Sequence, residues 1–536
     1  MGPQDHLYVD LNSLLYPAVN IAADALLQRL AAAEATGTGG GGMFLHQKGS
    51  SSASTASAVS VKEAEDAILA ALVTLLEKLC SICPPQKLLY IASDGVSPMG
   101  KMSHQRARRQ NSTARSAARR LCDVTGFDIT MLTCGSSFMA RVTHASHYFA
   151  TMYVERINSK RHAANCRRQH NNPNEGSSSS AAPLLTAVVV DATSPGEGEH
   201  KIFEAIRAFR SFESYDHNVT HCVCSSDTDV VVSALTLHEP FLYALRFDPS
   251  GPHEPTAFSI EAFRAALYER LQPRKLDDFE KALHDFVFVI LLFGNDFLPR
   301  IADVADIAEG ALDAFIKFLA DNFVSRGKRL VDEVTGVVHV EAAVYLFDFL
   351  EDLPGGSKAS SLSIEFGSEG DGDTENPWEL PQPAATGGGG VDDLSEIAAA
   401  KEQAIRQQCF AYWTMLQWAM QYSCGPVPMW NAAYPYSTVP SIAQLRKYCG
   451  MDVETVKVRG VPDEPLDVFA QLLILTPPHS VQRVLPPALR YTSSDKISGA
   501  SGASSVDDVA TILARSFEDI PMSDIVAWCK SWTPSQ

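Results

Sequence analysis

The sequence lacks a long hydrophobic run. Although 46% of its 536 residues are hydrophobic, no stretch of about 18 consecutive apolar residues occurs, so no membrane-spanning helix is expected. The N-terminus, MGPQDH, also lacks the charged and apolar pattern of a secretory signal and the Ser or Thr of a myristoylation motif. We therefore expect a soluble, intracellular protein without a membrane partner.

The cysteines lack the arrangement of a disulfide framework. Eleven are scattered along the chain, and an odd number in a long sequence is typical of reduced thiols. The C-x-x-C pair of Cys80 and Cys83 could hold zinc, but no second Cys or His pair lies nearby in the sequence. The pattern favours a position in the hydrophobic core over a zinc site.

Basic residues are outnumbered overall but not locally. The net charge is −19, which by itself disfavours binding to nucleic acid. Residues 101–170, however, contain thirteen Lys or Arg against three acids, whereas residues 359–400 contain nine acids and no Lys or Arg. The chain thus combines a basic segment, suited to a polyanionic substrate, with an acidic linker.

Low-complexity stretches divide the chain. Gly- and Ser-rich insertions near 35–58 and 165–183 are expected to be unstructured and to loop out of a compact body. An acidic linker at 353–396 separates a core of residues 1–352 from a second, mainly helical region at 397–536. We therefore expect two packed units joined by a solvated spacer.

Short apolar runs alternate with helical patterns over the first 350 residues. Runs such as LLYIASD and TAVVVDA predict strands, and KIFEAIRAFR predicts an amphipathic helix. The run FVFVILLF fits either a buried helix or a strand. This alternation is typical of an α/β fold with a mostly parallel sheet flanked by helices.

Acidic residues follow several of these predicted strands. Any one of them could cap a helix or brace a turn. Parallel strands, however, gather their carboxyl ends at one edge of a sheet, and clustered like charges shift each other's pKa strongly unless cations neutralise them. We therefore expect a cluster that holds two divalent cations and comprises Asp10, Asp94, Glu197, Glu199, Asp227, Asp229 and Asp296.

An all-carboxylate cluster suits Mg²⁺ or Mn²⁺, which prefer oxygen ligands. Two such ions stabilise both the attacking and the leaving oxygen in phosphodiester hydrolysis. Near the acids, the segment KMSHQRARR places Lys101, Gln105, Arg108 and Arg109 on one face of a predicted helix. Such a face could bind a terminal phosphate or be a solvated basic surface; beside the acids, we favour the phosphate.

Several blocks resemble the Xrn family of 5′→3′ exoribonucleases. They include ASDGVSPMGKM, SPGEGEHKIFEAIR and GNDFLPRI, and after the acidic linker AYWTMLQWAMQYSCGPVPMWNAAYPY. The resemblance implies a fold related to PIN-like and flap nucleases, with the mainly helical second conserved region packed on it. It also implies that the seven acids are metal ligands and that Lys101, Gln105, Arg108 and Arg109 bind a 5′-monophosphate.

The family's activity would be stepwise removal of nucleotides from single-stranded RNA bearing a 5′-monophosphate. Tyr16 stands where the family has a base-stacking histidine, and any aromatic face can stack on a base. Two other functions stay open: a flap-type endonuclease and an RNA-binding scaffold without activity. The resemblance does not decide between cytoplasm, which we favour, and nucleus, and protein partners are unknown.

The aromatic run of the second region has two interpretations. Trp413, Leu416, Trp418 and Met420 recur at helical spacing. They could form a nucleotide-stacking surface, but this spacing is more typical of a core helix. We therefore expect the second region to buttress the nuclease core and narrow its entrance.

Overall fold

A computed structural model describes most of the chain outside the low-complexity stretches. Arg108 and Arg109 lie outside the described residues, as does most of the acidic linker. In the part of the chain that is described, no helix is both long and apolar enough to cross a membrane. The described ranges are 2–35, 59–102, 105–106, 117–171, 183–249, 254–301, 310–352, 391–436, 438–449, 464–477 and 480–485.

A six-stranded sheet forms the centre of the described structure. Its order is β3-β2-β1-β4-β5-β6, and all neighbouring strands are parallel except β5 and β6. The predicted α/β fold with a mostly parallel sheet is confirmed; the antiparallel edge strand β6 was not predicted. The strands are β1 (Gln4–Asp10), β2 (Pro85–Ala92), β3 (Thr186–Val190), β4 (His221–Cys224), β5 (Leu242–Arg246) and β6 (Thr256–Ser259).

Helices cover both faces of the sheet. The helices in chain order are α1 (Asn12–Ala35), α2 (Val61–Ile82), α3 (Ala117–Thr125), α4 (Ser137–Asn171), α5 (Gly198–Arg210), α6 (Asp229–Leu235), α7 (Ile260–Leu271), α8 (Leu276–Leu291), α9 (Ala311–Asn322), α10 (Val340–Asp352), α11 (Val391–Cys424), α12 (Ile442–Cys449), α13 (Val468–Leu475) and α14 (Val481–Val484). Short 3-10 turns lie at Ile129–Leu132 and Val324–Arg326. Residues 99–102 and 105–106 are also helical.

Alternation along the strands divides the core into two layers. Leu7 and Val9 of β1 point to one face, where they pack with α1, α2 and α4, whereas Tyr8 points to the other. That second layer contains the buried residues of α5 through α11. The sheet is therefore buried on both faces, as a parallel sheet requires.

Two element boundaries differ from the sequence prediction. Helix α4 continues to Asn171, into the insertion predicted to be unstructured at 165–183. Arg167, Arg168 and Gln169 in this stretch favour helix, and Pro173 in the sequence disfavours helix just before it. Helix α11 begins at Val391, inside the predicted linker 353–396. The ambiguous run FVFVILLF, residues 286–293, is helical up to Leu291, where α8 ends.

The strand order creates a crevice at one edge of the sheet. From β1 the chain adds β2 and β3 on one side, then returns to place β4 on the other side of β1. Ligands bind at such reversal points, beyond the carboxyl ends of the strands. The carboxyl ends of β1, β2, β3 and β4 therefore converge here, and predicted acids lie at or beyond all four of them.

The second region packs into both layers of the core. Trp413 and Trp418 of α11 are buried in the layer that contains α5, whereas Leu472 and Leu473 of α13 are buried in the layer that contains α1. The predicted core role of the aromatic run is confirmed, because Trp413, Leu416, Trp418 and Met420 are at most 2% exposed. These side chains pack against protein and do not form a nucleotide-stacking surface.

Trp413→Ala should therefore lower the stability of the protein. Trp413 is 2% exposed, and loss of a buried Trp side chain costs about 3–5 kcal/mol because a cavity remains. Denaturant unfolding measures this change. The matched control is Phe410→Ala on the same helix, where the side chain is 41% exposed and the loss should be small. Equal losses in the two variants would contradict the core assignment.

Candidate metal centre

Asp10 ends β1 at the bottom of the crevice. It is 5% exposed. Its carboxylate accepts hydrogen bonds from the backbone N–H of Asn12 at 3.1 Å, from the hydroxyl of Ser13 and from the hydroxyl of Ser225 at 3.0 Å. Since Ser225 follows β4 directly, these bonds fix Asp10 at the junction of β1 and β4.

Asp94 lies two residues beyond β2 and is held by Asn12. The Asn12 side chain donates to Asp94 Oδ2 at 2.6 Å and accepts from the Asp94 backbone N–H at 3.2 Å. Asp94 Oδ1 accepts from the backbone N–H of Gly198 at 2.8 Å. Asp94 is thereby fixed against both α1 and the start of α5.

Two loops must approach closely to bring these elements together. The N–H of Gly95 donates to Gly196 O at 2.9 Å, and the N–H of Gly196 donates to Val96 O at 2.8 Å. A Cβ at Gly95 would lie only 1.8 Å from Ser194 O, so no larger residue fits. Glycine is required here because the loop after β2 touches the loop before α5.

Lys201 ties the ends of two strands beneath these loops. Its ammonium donates to Ser93 O at 2.9 Å and to Asp191 O at 3.1 Å. Burial lowers the pKa of Lys201 to about 8, although the charges of Asp94 and Asp191 oppose this shift. The side chain therefore holds the carboxyl ends of β2 and β3 in place.

Glu197 and Glu199 flank the first residue of α5. Glu197 occupies the N-cap position, but its side chain makes no capping hydrogen bond. Helix capping therefore does not explain this glutamate. A Cβ at Gly198 would lie 2.8 Å from Asp10 Oδ1, so glycine between the two glutamates lets the helix start approach β1. Glu199 lies in the first turn of the helix.

Three carboxylates converge closely enough to share one metal ion. Oxygens of Asp10, Asp94 and Glu199 lie within 4.8 Å of one another, and the three residues come from three separate segments. A hard divalent cation takes oxygen ligands of this kind. Their chemistry and spacing fit such an ion.

The remaining acids extend this cluster. The negative charges of Asp227, Asp296 and Glu197 raise the pKa of Asp229, so the four side chains lie close enough to interact electrostatically. The pKa of Asp229 is raised to about 7, chiefly because the surrounding protein shields its carboxyl from water and secondly because of the charge of Asp227. The residue as a whole is nevertheless exposed. Asp296 follows α8 and does not follow a strand.

Lys101 is a cation that lies among these acids. Its ammonium lies 3.0 Å from Glu197 Oε1 and also pairs with Asp296. Burial would lower the pKa of Lys101, but the charges of Glu197, Glu199 and Asp296 raise it well above its usual value. Lys101 thus lies beside the cluster, where a phosphate bound near the acids would also lie within its reach.

The pKa values of several acids stay raised although Lys101 and Lys201 lie nearby. Burial and the charge of Asp94 raise the pKa of Asp10 to about 7. Burial and the charge of Glu197 also raise the pKa of Asp94. For Glu199, burial together with Glu197 and Asp10 raises the pKa well above its usual value. A divalent cation would relieve this repulsion, so the electrostatics fit a metal centre.

Two other residues predicted for the site, Gln105 and Tyr16, are among the described residues. Gln105 is partly buried, and its amide lies 3.5 Å from the hydroxyl of Ser97 in the loop after Asp94. Tyr16 is on α1 and is 44% exposed, so its ring is accessible. The phosphate-binding role of Gln105 and Lys101 and the stacking role of Tyr16 stay predictions.

The C-x-x-C pair lies in the hydrophobic core. Cys80 and Cys83 are buried in the hydrophobic core, and Cys83 shares a hydrogen bond with Cys222. Among the described residues, the group with metal-ligand spacing is the one formed by Asp10, Asp94 and Glu199. The expected core position of the two thiols is confirmed.

The second region supports the loop that carries Asp94. The buried Gln471 side chain accepts from the N–H of Ser97 at 2.7 Å and donates to Gly95 O at 3.3 Å. The N–H groups of Met99 and Gly100, just before Lys101, donate to Trp430 O at 2.8 Å and to Ala432 O at 3.0 Å. The predicted buttress is therefore confirmed: the second region braces the segment from Asp94 to Lys101.

Four residues of the centre escaped the sequence analysis: Asn12, Ser13, Ser225 and Tyr422. The first three are short polar side chains next to an acid in DLNSL and CSSDTD, and this adjacency is the signal that could have identified them. Tyr422 donates from its hydroxyl to Glu197 Oε2 at 2.9 Å across 225 residues of sequence. No local pattern marks that contact.

Comparison with protein-family models gives two matches. Residues 43–248 match the model described as the XRN 5′-3′ exonuclease N-terminus, and residues 276–353 match the Xrn1 helical domain. The first range includes Asp94, Glu197, Glu199, Asp227 and Asp229, and the second includes Asp296. The second match lies almost wholly inside the segment 1–352 assigned to the nuclease core, and the proposed domain boundaries stay predictions.

Curated relatives carry names that agree with these models. The chain is 29% identical over 316 residues to a "5'-3' exoribonuclease 2 homolog" of Drosophila melanogaster, an alignment that covers 47% of this chain and 32% of that protein. It is 26% identical over 326 residues to "5'-3' exoribonuclease 1" of Saccharomyces cerevisiae, covering 56% of this chain and 18% of that protein. The chain thus spans about a third or less of the length of these relatives.

Gly198→Ala should weaken metal binding without unfolding the protein. The new methyl group would lie 2.8 Å from Asp10 Oδ1 and 3.3 Å from Ala92 O, so Asp10 or the start of α5 must shift. Disturbed support of metal ligands costs about tenfold or more in metal affinity. Titration with Mn²⁺ by calorimetry measures this loss. Gly425→Ala is the control, since its nearest atom lies at 3.8 Å; equal affinities in both variants would contradict the close approach.

Metal-induced stabilisation should increase with pH. The pKa values of Asp10 and Asp229 are raised to about 7. The metal-free native state therefore holds more protons than the unfolded state between about pH 4 and 7. Because the native state must lose these protons as pH rises, the two groups lower the free energy of unfolding over this range. Because a metal must displace these protons, we expect Mn²⁺ to raise the melting temperature little at about pH 5.5 and much more at about pH 8. An equal rise at both pH values would argue against these ligands.

Proposed function

Because this chain belongs to the Xrn family of 5′→3′ exonucleases, we propose that it is a metal-dependent 5′→3′ exoribonuclease. The observation that carries this proposal is the cluster of Asp10, Asp94 and Glu199, whose oxygens lie within 4.8 Å of one another. The curated names of the relatives support the same activity. The reaction is hydrolysis of a phosphodiester bond.

Two Mg²⁺ or Mn²⁺ ions are the proposed cofactors. Asp10, Asp94 and Glu199 would hold one ion. The charge of Glu197 acts on both Asp94 and Asp229, and the remaining acids, Asp227, Asp229 and Asp296, would help to hold the second ion. When bound, such ions polarise the phosphate and supply hydroxide near neutral pH. The protein supplies the ligands and holds them in place through Asn12, Ser13 and Ser225.

Single-stranded RNA with a 5′-monophosphate is the proposed substrate. Lys101 is close enough to the acids to bind a phosphate beside them, and Gln105 lies next to the same loop. Arg108 and Arg109 follow on the same predicted helix face and would add two donors to a dianionic terminal phosphate. The exposed ring of Tyr16 would stack on a base near the entrance.

This activity places the protein in RNA decay or RNA processing. Removal of nucleotides from an exposed 5′-monophosphate end degrades RNA whose 5′ end is unprotected. We propose an intracellular location, in the cytoplasm or the nucleus, with the cytoplasm favoured. The basic segment at residues 101–170 supports an RNA substrate despite the net charge of −19.

The purified protein with Mg²⁺ should release mononucleotides from 5′-monophosphorylated RNA and act much more slowly on RNA with a 5′-hydroxyl. Glu197→Gln and Asp227→Asn should each abolish this cleavage while RNA binding persists, because neutral amides are poor ligands for a hard cation. Product analysis by mass spectrometry and a binding assay measure the two properties separately.

The matched control is Glu204→Gln, which lies on the same helix as Glu199 and has a 43% exposed side chain. It should leave the activity unchanged. Cleavage of forked DNA without mononucleotide release from RNA would favour a flap-type endonuclease instead. RNA binding without any metal-dependent cleavage would favour a scaffold and contradict the proposal.

A further inference from the structure

One of the predicted metal ligands is held by a side chain of the second region. The hydroxyl of Tyr422, in the last turn of α11, donates to Glu197 Oε2 at 2.9 Å. The other oxygen, Oε1, lies 3.0 Å from the ammonium of Lys101. Glu197 is 3% exposed, so water does not compete freely for these partners. Each carboxylate oxygen thus has a distinct protein partner.

Stacked rings hold the Tyr422 side chain. The ring of His200 stacks on it at 4.1 Å between centroids with an angle of 10°, and the ring of Trp418 stacks at 5.0 Å with an angle of 13°. The edge of Phe297, the residue after Asp296, completes the enclosure at 5.0 Å. A ring held on several sides keeps its hydroxyl at a fixed place, so the direction of its hydrogen bond to Glu197 is fixed as well.

Polar contacts anchor this stack to both regions. Nε2 of His200, on α5, lies 3.0 Å from Gly425 O. Arg207, also on α5, donates to Ser423 O at 2.7 Å, and the indole N–H of Trp418 donates to Met429 O at 2.8 Å. The end of α11 is therefore fixed along the length of the helix whose start carries Glu197 and Glu199.

From this geometry we propose that Tyr422 is a positioning residue that orients the Glu197 carboxylate for the reaction. The inference rests on the proposed function, since it concerns a ligand of that same site. A ring without the hydroxyl would fill the space between His200 and Trp418 equally well. The hydroxyl therefore acts beyond packing: it fixes the rotation of the carboxylate, so that Oε1 faces Lys101.

Tyr422→Phe tests this role because it removes one oxygen and keeps the stacked ring. Because the lost hydrogen bond joins the hydroxyl to a charged carboxylate, we expect the single-turnover rate of RNA cleavage to fall about 10- to 100-fold. The affinity for 5′-monophosphorylated RNA, measured with Ca²⁺ in place of Mg²⁺, and the melting temperature should stay close to the wild-type values. Tyr434→Phe is the control, because its hydroxyl donates to Thr438 O within the second region.

A metal titration gives a readout that does not depend on activity. Tyr422→Phe should weaken Mn²⁺ binding several-fold in the wild-type background. In a Glu197→Gln background the same substitution should have no further effect on Mn²⁺ binding, because the carboxylate it orients is absent. Such non-additivity identifies coupling between the two residues, which a purely structural role of Tyr422 would not produce.

The outcomes separate the positioning role from the proposed function. A wild-type protein without exonuclease activity would overturn the proposed function, while the Mn²⁺ titrations would still test the coupling of Tyr422 to Glu197. A wild-type rate and wild-type Mn²⁺ affinity in Tyr422→Phe would overturn the positioning role. Parallel losses of stability, RNA affinity and rate would also overturn it, since they would mark Tyr422 as a packing residue.

Discussion

Mutual repulsion of carboxylates is the constraint on which the rest of this structure depends. Seven acids meet at one edge of the sheet, and the pKa values of Asp10, Asp94, Glu199 and Asp229 are raised. Such a group stays assembled only if donors and rigid packing oppose the repulsion, as Asn12 does for Asp94 and Lys101 does for Glu197. Asn12 is central among these donors, because it bonds Asp94 through its side chain and Asp10 through its backbone N–H.

The second region belongs to the same arrangement. It contacts the site at three places. Tyr422 contacts Glu197, and Gln471 contacts the loop after Asp94. The carbonyl groups of Trp430 and Ala432 accept hydrogen bonds from the backbone just before Lys101. Its buried residues also complete both hydrophobic layers of the sheet. The division into a nuclease core and a supporting region therefore describes the sequence better than the folded protein, in which the two make one site.

The sequence predicted what depends on local pattern. Asp10 and Asp94 follow β-branched and aliphatic runs that form β1 and β2, so strand prediction and the geometry of parallel sheets were enough to bring them together. Asp296 follows a helix, whereas the sequence analysis placed it in the cluster because it follows a run that fits either a helix or a strand. The bonds of Asn12 to Asp94 and of Tyr422 to Glu197 span 82 and 225 residues, and tertiary packing that no local pattern encodes creates them.

The distance along the chain between Gly95 and Gln471 has a consequence for biosynthesis. These residues are 376 positions apart, so during synthesis the loop after Asp94 leaves the ribosome long before its brace exists. At typical elongation rates of about 5–20 residues per second, the loop after Asp94 is synthesised tens of seconds before Gln471, which supports it. A nascent chain that grows on its own messenger RNA would thus carry an incomplete centre until the segment that contains Gln471 has left the ribosome.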